Sequence, residues 1–87
     1  MSAVYFMGVR EVESKKSGKT FYPASFLFQN SWGNWVVESK FCSSSGVAAD
    51  IEDNVLVGSA VVCTLGMGGE LVSCVPDDTI PMLELVD

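Results

Sequence analysis

The 87-residue chain contains no histidine. It therefore lacks the commonest metal ligand and the usual general base, and neither catalysis nor a bound metal or cofactor is expected. Cysteine is scarce as well: Cys42, Cys63 and Cys74 are odd in number and show no Cys-x-x-Cys spacing. That count argues against a secreted domain built on disulfides, and the three are expected to behave as small buried apolar residues. No apolar run approaches the ~18 to 20 residues that a membrane span requires. The first residues also lack the basic start and long apolar region of a secretory signal, so the expectation is a cytoplasmic protein without a membrane partner.

Positive charge is the remaining scarcity. Five Lys and Arg face eleven Asp and Glu, for a net charge of −6. The cations are nevertheless concentrated. Residues 1–19 hold Arg10, Lys15, Lys16 and Lys19 against Glu11 and Glu13, a net of +2, whereas residues 20–87 hold only Lys40 against nine acids, a net of −8. A basic segment thus sits on an acidic body, and a cationic segment is the electrostatic footprint a phosphate-bearing ligand requires.

A chain of this length is one domain, and its 48% hydrophobic content suffices for one modest core. Residues 3–13 are rich in β-branched and aromatic side chains without a helical stripe, which predicts a strand. Gly8 inside it predicts a bulge or sharp bend. Ser14-Lys15-Lys16-Ser17-Gly18-Lys19 is polar and glycine-containing, and reads as a hairpin loop. Residues 20–30 then alternate, with Tyr22, Ala24, Phe26 and Phe28 forming the better core face. Pro23 in this run predicts an edge or bulged position.

Ser31-Trp32-Gly33-Asn34 reads as a turn into a third strand over residues 35–42. The Ala-Ala-Asp-Ile-Glu pattern within residues 47–54 predicts one short helix, with Ser45 as its cap. A strand over residues 55–65 with Gly58 inside, a turn at Gly66-Met67-Gly68-Gly69, and a strand over residues 70–75 complete the order: three strands, a helix, two strands. After Pro76 comes an acidic tail ending in an apolar group that suits a sixth strand, a dimer arm or a disordered peptide.

This order, with a glycine in a long first strand, is that of the OB-fold, an all-β, five-stranded Greek-key barrel carrying one short helix between its third and fourth strands. Within that group the sequence resembles the filamentous-phage single-stranded DNA-binding (helix-destabilising) proteins and related small OB modules. The resemblance is carried by Ser17-Gly18-Lys19-Thr20-Phe21-Tyr22, by Gly33-Asn34, and by Gly68-Gly69-Glu70-Leu71-Val72 leading to Pro76. It implies an OB domain over residues 1–76, an acidic tail over residues 77–87, a homodimer, and sequence-tolerant binding of single-stranded DNA in a phage or mobile-element setting. By position it points to Arg10, Lys15, Lys16, Lys19 and Tyr22, with Phe21 beside them. The basic residues typical of that family's later hairpins have no counterpart here.

The residue types fit that chemistry, because a single-strand binder needs cations to track phosphates and exposed aromatic faces on which bases stack. If the second strand is regular, only one of Phe21 and Tyr22 points inward, leaving the other for stacking. Trp32, at a turn, is a further stacking candidate, while core or interface is the expected place of Trp35. The bland alternative is that the lysines keep a hairpin soluble and the aromatics fill the core.

Three other patterns are read as structural. Gly66 to Gly69 lacks a following Lys-Ser/Thr and a helix N-terminus to hold a phosphate, and Ser17-Gly18-Lys19-Thr20 lacks the first glycine of a phosphate loop. Asp50, Glu52 and Asp53 are the solvated surface of the short helix. The segment Asp77-Asp78-Thr79-Ile80-Pro81-Met82 is similar to the acidic, Ile-Pro-containing tips by which bacterial single-stranded DNA-binding proteins recruit protein partners. A rival function of a different class is a protein-interaction module, or DNA mimic, acting through the acidic surface.

Overall fold

Two faces of unequal polarity organise the chain. A computed structural model describes residues 3–83. Strands β1 (Tyr5–Val9), β4 (Pro23–Gln29) and β5 (Trp35–Phe41) form an antiparallel sheet in the order β1-β4-β5. The short strands β2 (Val12–Glu13) and β3 (Thr20–Phe21) make a separate hairpin, and β6 (Val61–Leu65) pairs with β7 (Leu71–Pro76) in another. Helix α1 (Ser45–Asn54) lies between β5 and β6. The described residues are therefore mostly β with one helix. No helix among them is long and apolar enough to cross a membrane.

The core is built from alternate residues of the strands. Phe6, Ala24, Phe26, Val61, Leu71 and Cys74 are buried together with Ile51 of α1 and Val55 just beyond it. The Phe6 and Phe26 rings sit 6.1 Å apart and tilted by 54°, an offset arrangement that suits the ring quadrupoles. The inward set on β4 is the one its alternation predicted, with Ala24 and Phe26 buried and Phe28 half-buried, and Tyr22 just before the strand is half-buried as well.

Several sequence expectations are corrected. Residues 3–13 are not one strand. A register shift falls between Phe6 and Gly8, and Gly8 adopts a φ of 120°, so the predicted bulge is present. β1 then ends at Val9, because the Arg10 N–H donates to the Pro23 carbonyl and Pro23 has no N–H to return. Pro23 itself opens the central strand of its sheet instead of lying on an edge strand. The first position of a strand tolerates the missing donor.

The helix cap is Ser44, not Ser45: the Ser44 side-chain oxygen accepts the Val47 N–H at 3.2 Å. Ser45 is already the first helical residue, so its own backbone is committed to the helix. The strand expected over residues 55–65 begins only at Val61. Upstream of it Gly58 takes a φ of 94° and Ser59 N–H donates to Leu56 C=O, so the chain turns there instead of running on. Over residues 77–83 the tail forms no strand, and the Leu83 N–H donates to Gly58 C=O. Residues 84–87 lie outside the described part.

The sheets do not close into a continuous barrel. Single bridges join them at two seams, antiparallel between Tyr5 and Ala60 and parallel between Cys42 and Leu71. Between the three-stranded sheet and the β6–β7 hairpin is a cleft of about 360 Å³, with Phe26, Phe28, Val61, Cys63 and Leu71 in its walls and Glu38 and Lys40 beside them. Zipping β5 onto β7 along its length would take those two charges further from water, which is costly.

Candidate functional site

The register of β5 places its two charged residues on the core side of the sheet, Glu38 exposed and Lys40 half-buried, and its aromatics on the other side. Phe26 stands opposite Glu38 and Ala24 opposite Lys40, so the two charged residues of β5 share the side of the sheet that carries the core. The other side of the same strand presents Trp35, Val37 and Phe41, which are 53%, 62% and 57% exposed. Same-face positions two residues apart are separated by ~7 Å, so the row from Trp35 to Phe41 is about 20 Å long.

Neighbouring strands extend this outer face. Tyr5, half-buried, places its ring 6.3 Å from that of Trp35. Leu27 stands opposite both Tyr5 and Val37 in the register, and Ser25 and Ser39 share a hydroxyl hydrogen bond of 3.3 Å across β4 and β5. At the far end, Phe21 packs its ring on Phe41 in an edge arrangement at 5.7 Å. Phe21 belongs to β3, so this contact fixes the base of the β2–β3 hairpin against the end of the face.

That hairpin carries the cations. Lys15, Lys16 and Lys19 occupy its loop and Arg10 precedes its first strand, all four exposed. Serines shape the loop: Ser14 Oγ accepts the Ser17 N–H at 3.4 Å, Ser17 Oγ accepts the Lys19 N–H at 3.3 Å, and Gly18 supplies a φ of 71°. The lysine side chains are thus held in solvent above a backbone fixed by local bonds.

Of the residues singled out from sequence, Arg10, Lys15, Lys16, Lys19 and Phe21 fall in one region. Of Phe21 and Tyr22, Phe21 is 40% exposed, whereas Tyr22, between β3 and β4, is half-buried. Trp32 is 84% exposed, but at the β4–β5 turn, the opposite end of the sheet from the lysines. There Asn30 Oδ1 accepts the N–H groups of Trp32 and Asn34, both at 3.0 Å, and holds the turn.

Of the two places expected for Trp35, the core is excluded, since it lies on the open face and is 53% exposed. With Tyr5 and Phe41 it completes an aromatic row between the lysine loop and Trp32, and neither Tyr5 nor Phe41 was picked out in the sequence. Hydropathy could not have found them. In the run Trp35-Val36-Val37-Glu38-Ser39-Lys40-Phe41, polarity alone assigns Glu38 and Lys40 to solvent and the aromatics to the core.

The helix carboxylates Asp50, Glu52 and Asp53 are exposed as expected, with Asp50 accepting from the Asn54 side-chain amide at 3.0 Å. At Asp77 the backbone N–H and hydroxyl of Thr79 both donate to the carboxyl and hold it below the usual carboxylate range. Among the described residues, no group of three or more His, Cys, Asp or Glu is arranged to hold a metal ion. What the arrangement offers is a solvent-facing row of rings running toward a cationic loop. Comparison with protein families, with curated proteins and with solved structures finds no match to this chain.

Proposed function

We propose that the chain is a non-enzymatic, sequence-tolerant binder of single-stranded DNA, built as an open OB-type barrel. The observation that carries the reading is the outer side of β5, whose aromatic residues face solvent beside the cationic hairpin. Large exposed apolar patches on a small domain mark interaction surfaces, and a row of rings next to cations is what unpaired bases and their phosphates require.

The pairing pattern supports the OB part of the proposal. With β1, β4, β5, β6 and β7 taken as the five barrel strands, the antiparallel pairs β1–β4, β4–β5 and β6–β7 and the two bridges follow the OB circuit. In that fold the face of the second and third strands and the loops after the first and fourth strands bind oligonucleotides. Here those parts are the outer face of β4–β5, the lysine hairpin and the turn over residues 66–70.

In this reading, Arg10, Lys15, Lys16 and Lys19 neutralise phosphates while Phe21, Phe41, Trp35 and Trp32 offer stacking surfaces. Titration of a fluorescent single-stranded oligonucleotide across a salt series tests it. Four phosphate contacts predict a log-log slope near −2.8, from about −0.7 per contact on single strands. Trp35→Ala and Phe41→Ala should each weaken binding by about 1–3 kcal/mol. Absence of binding at low ionic strength would overturn the reading, and capture of a basic protein in its place would favour the protein-interaction alternative.

The proposal includes a symmetric homodimer. Besides the outer face of β5, the second hairpin exposes Val62 and Val75 opposite one another at 55% and 51%. A domain this small rarely leaves that much apolar surface in water. Light scattering at micromolar concentration should give twice the chain mass, and a monomer would contradict the dimer.

A further inference from the structure

Cys63 and Cys74 stand directly opposite each other in the β6–β7 register. Their place in the ladder follows from one hydrogen bond. The Asp77 N–H donates to Ala60 C=O at 2.8 Å, which makes positions 60 and 77 a hydrogen-bonded pair. Hydrogen-bonded and non-hydrogen-bonded pairs alternate along an antiparallel ladder, so Cys63 and Cys74, three positions on, are a non-hydrogen-bonded pair. Pro76, opposite Val61, agrees with this phase because no donor is needed there. Side chains come closest at such pairs, with Cα atoms about 4.5 Å apart, inside the range that a disulfide accepts.

We propose that Cys63 and Cys74 are a dithiol modification site, converted reversibly to a cross-strand disulfide by hydroperoxides or small-molecule disulfides. The Sγ atoms are 3.7 Å apart and share a hydrogen bond. Bonding requires them to approach by about 1.7 Å, which side-chain rotation supplies without moving the strands. Cys63 is half-buried and lines the cleft between the sheet and the hairpin, so a small oxidant reaches it, whereas Cys74 is buried behind it.

The thiols are also electrically unequal. Hydrogen bonding to Cys74 pulls the Cys63 thiol below its ordinary value, and the same bond together with burial pushes Cys74 up. Cys63, the thiol that the cleft reaches, is the entry point for a hydroperoxide. Its thiolate attacks the terminal peroxide oxygen, the O–O bond breaks, and the leaving oxygen takes up a proton and departs as water from hydrogen peroxide or as the alcohol from an organic hydroperoxide. The resulting sulfenic acid is then attacked by the sulfur of Cys74, the S–O bond breaks, and water leaves as the disulfide forms. Two thiols and one hydroperoxide thus give one disulfide with the peroxide reduced. With a small-molecule disulfide as oxidant, the mixed disulfide at Cys63 is resolved by Cys74, releasing two small thiols. The Cys42 thiol is raised by burial, and its bridge partner is Leu71, not a cysteine.

The proposal is independent of DNA binding. Its test uses the full chain, reduced, desalted and treated with hydrogen peroxide or glutathione disulfide under native conditions. Intact mass should fall by two hydrogens, non-reducing peptide mapping should join the Cys63 and Cys74 peptides, and dithiothreitol should reverse both changes. Cys42→Ser should retain the cross-link. Cys63→Ser and Cys74→Ser should abolish it while circular dichroism reports an intact fold. If either of those variants fails to fold, the peptide map of the Cys42→Ser protein decides. A treated native chain with no intramolecular cross-link, or with Cys42 in it, would overturn the proposal.

Discussion

Phe6→Ala is expected to cost about 3–5 kcal/mol of folding stability, read as a lower urea midpoint at unchanged slope. Phe6 is 1% exposed and its ring packs on Phe26 at the centre of the core cluster. Its backbone works in the same place. The Phe6 N–H donates to Ser59 C=O and its carbonyl accepts the Gly58 N–H, so this residue joins the first sheet to the chain entering β6. Truncation removes buried apolar area and leaves a cavity between the sheet and α1, and a small core has few ways to refill it. Stabilities of single domains run about 5–15 kcal/mol, so the variant should be partly unfolded at ordinary temperature. Phe41→Ala is the contrast within the same sheet. Phe41 is 57% exposed and gives up only its edge contact with Phe21, so its loss should cost about 1 kcal/mol, well below the effect at Phe6. A small effect at Phe6, or a large one at Phe41, would mean that the inner and outer faces are assigned the wrong way round.

Reversing the charge of the hairpin loop with K15E, K16E and K19E together is expected to weaken binding of single-stranded DNA by about 100-fold or more at low salt. The salt slope should flatten from near −2.8 to about −0.7, the value left when Arg10 alone contacts phosphate. All three lysines are exposed in a loop held by Ser14, Ser17 and Gly18, so the fold should be preserved and thermal unfolding should move little. This separates electrostatic from aromatic contributions, because substitutions at Trp35 and Phe41 should lower affinity without changing the slope. Unchanged affinity in the triple variant would remove the cationic half of the proposed site.

Much of the framework was legible from local chemistry. The glycine and serine loop over residues 14–19, the alternation of Tyr22, Ala24, Phe26 and Phe28, the turn at Gly33, and the short helix are encoded by contacts within a few residues of one another. Boundaries were less legible where distant partners set them. β1 stops where it meets the missing donor of Pro23, and β6 starts late because Gly58 and Ser59 bond to Phe6. The helix cap moved by one residue, from Ser45 to Ser44, in a run of serines that are alike as cap formers.

The candidate site divides along the same line. The cationic hairpin could be read from residue types alone, because four cations within ten residues form a local feature of an otherwise acidic chain. The outer aromatic face could not, since it depends on which side of β5 meets the core. A pairing shift of one residue exchanges the two sides of a strand, and it is the alignment of Glu38 with Phe26 and of Lys40 with Ala24 that turns Trp35, Val37 and Phe41 to solvent. The same holds for Cys63 and Cys74, separated along the chain and matched only by the β6–β7 register. Scarcity of histidine and the clustering of charge follow from composition and order. The rings beside the lysines and the facing thiols exist only once the strands are paired, because pairing decides which side chains share a face.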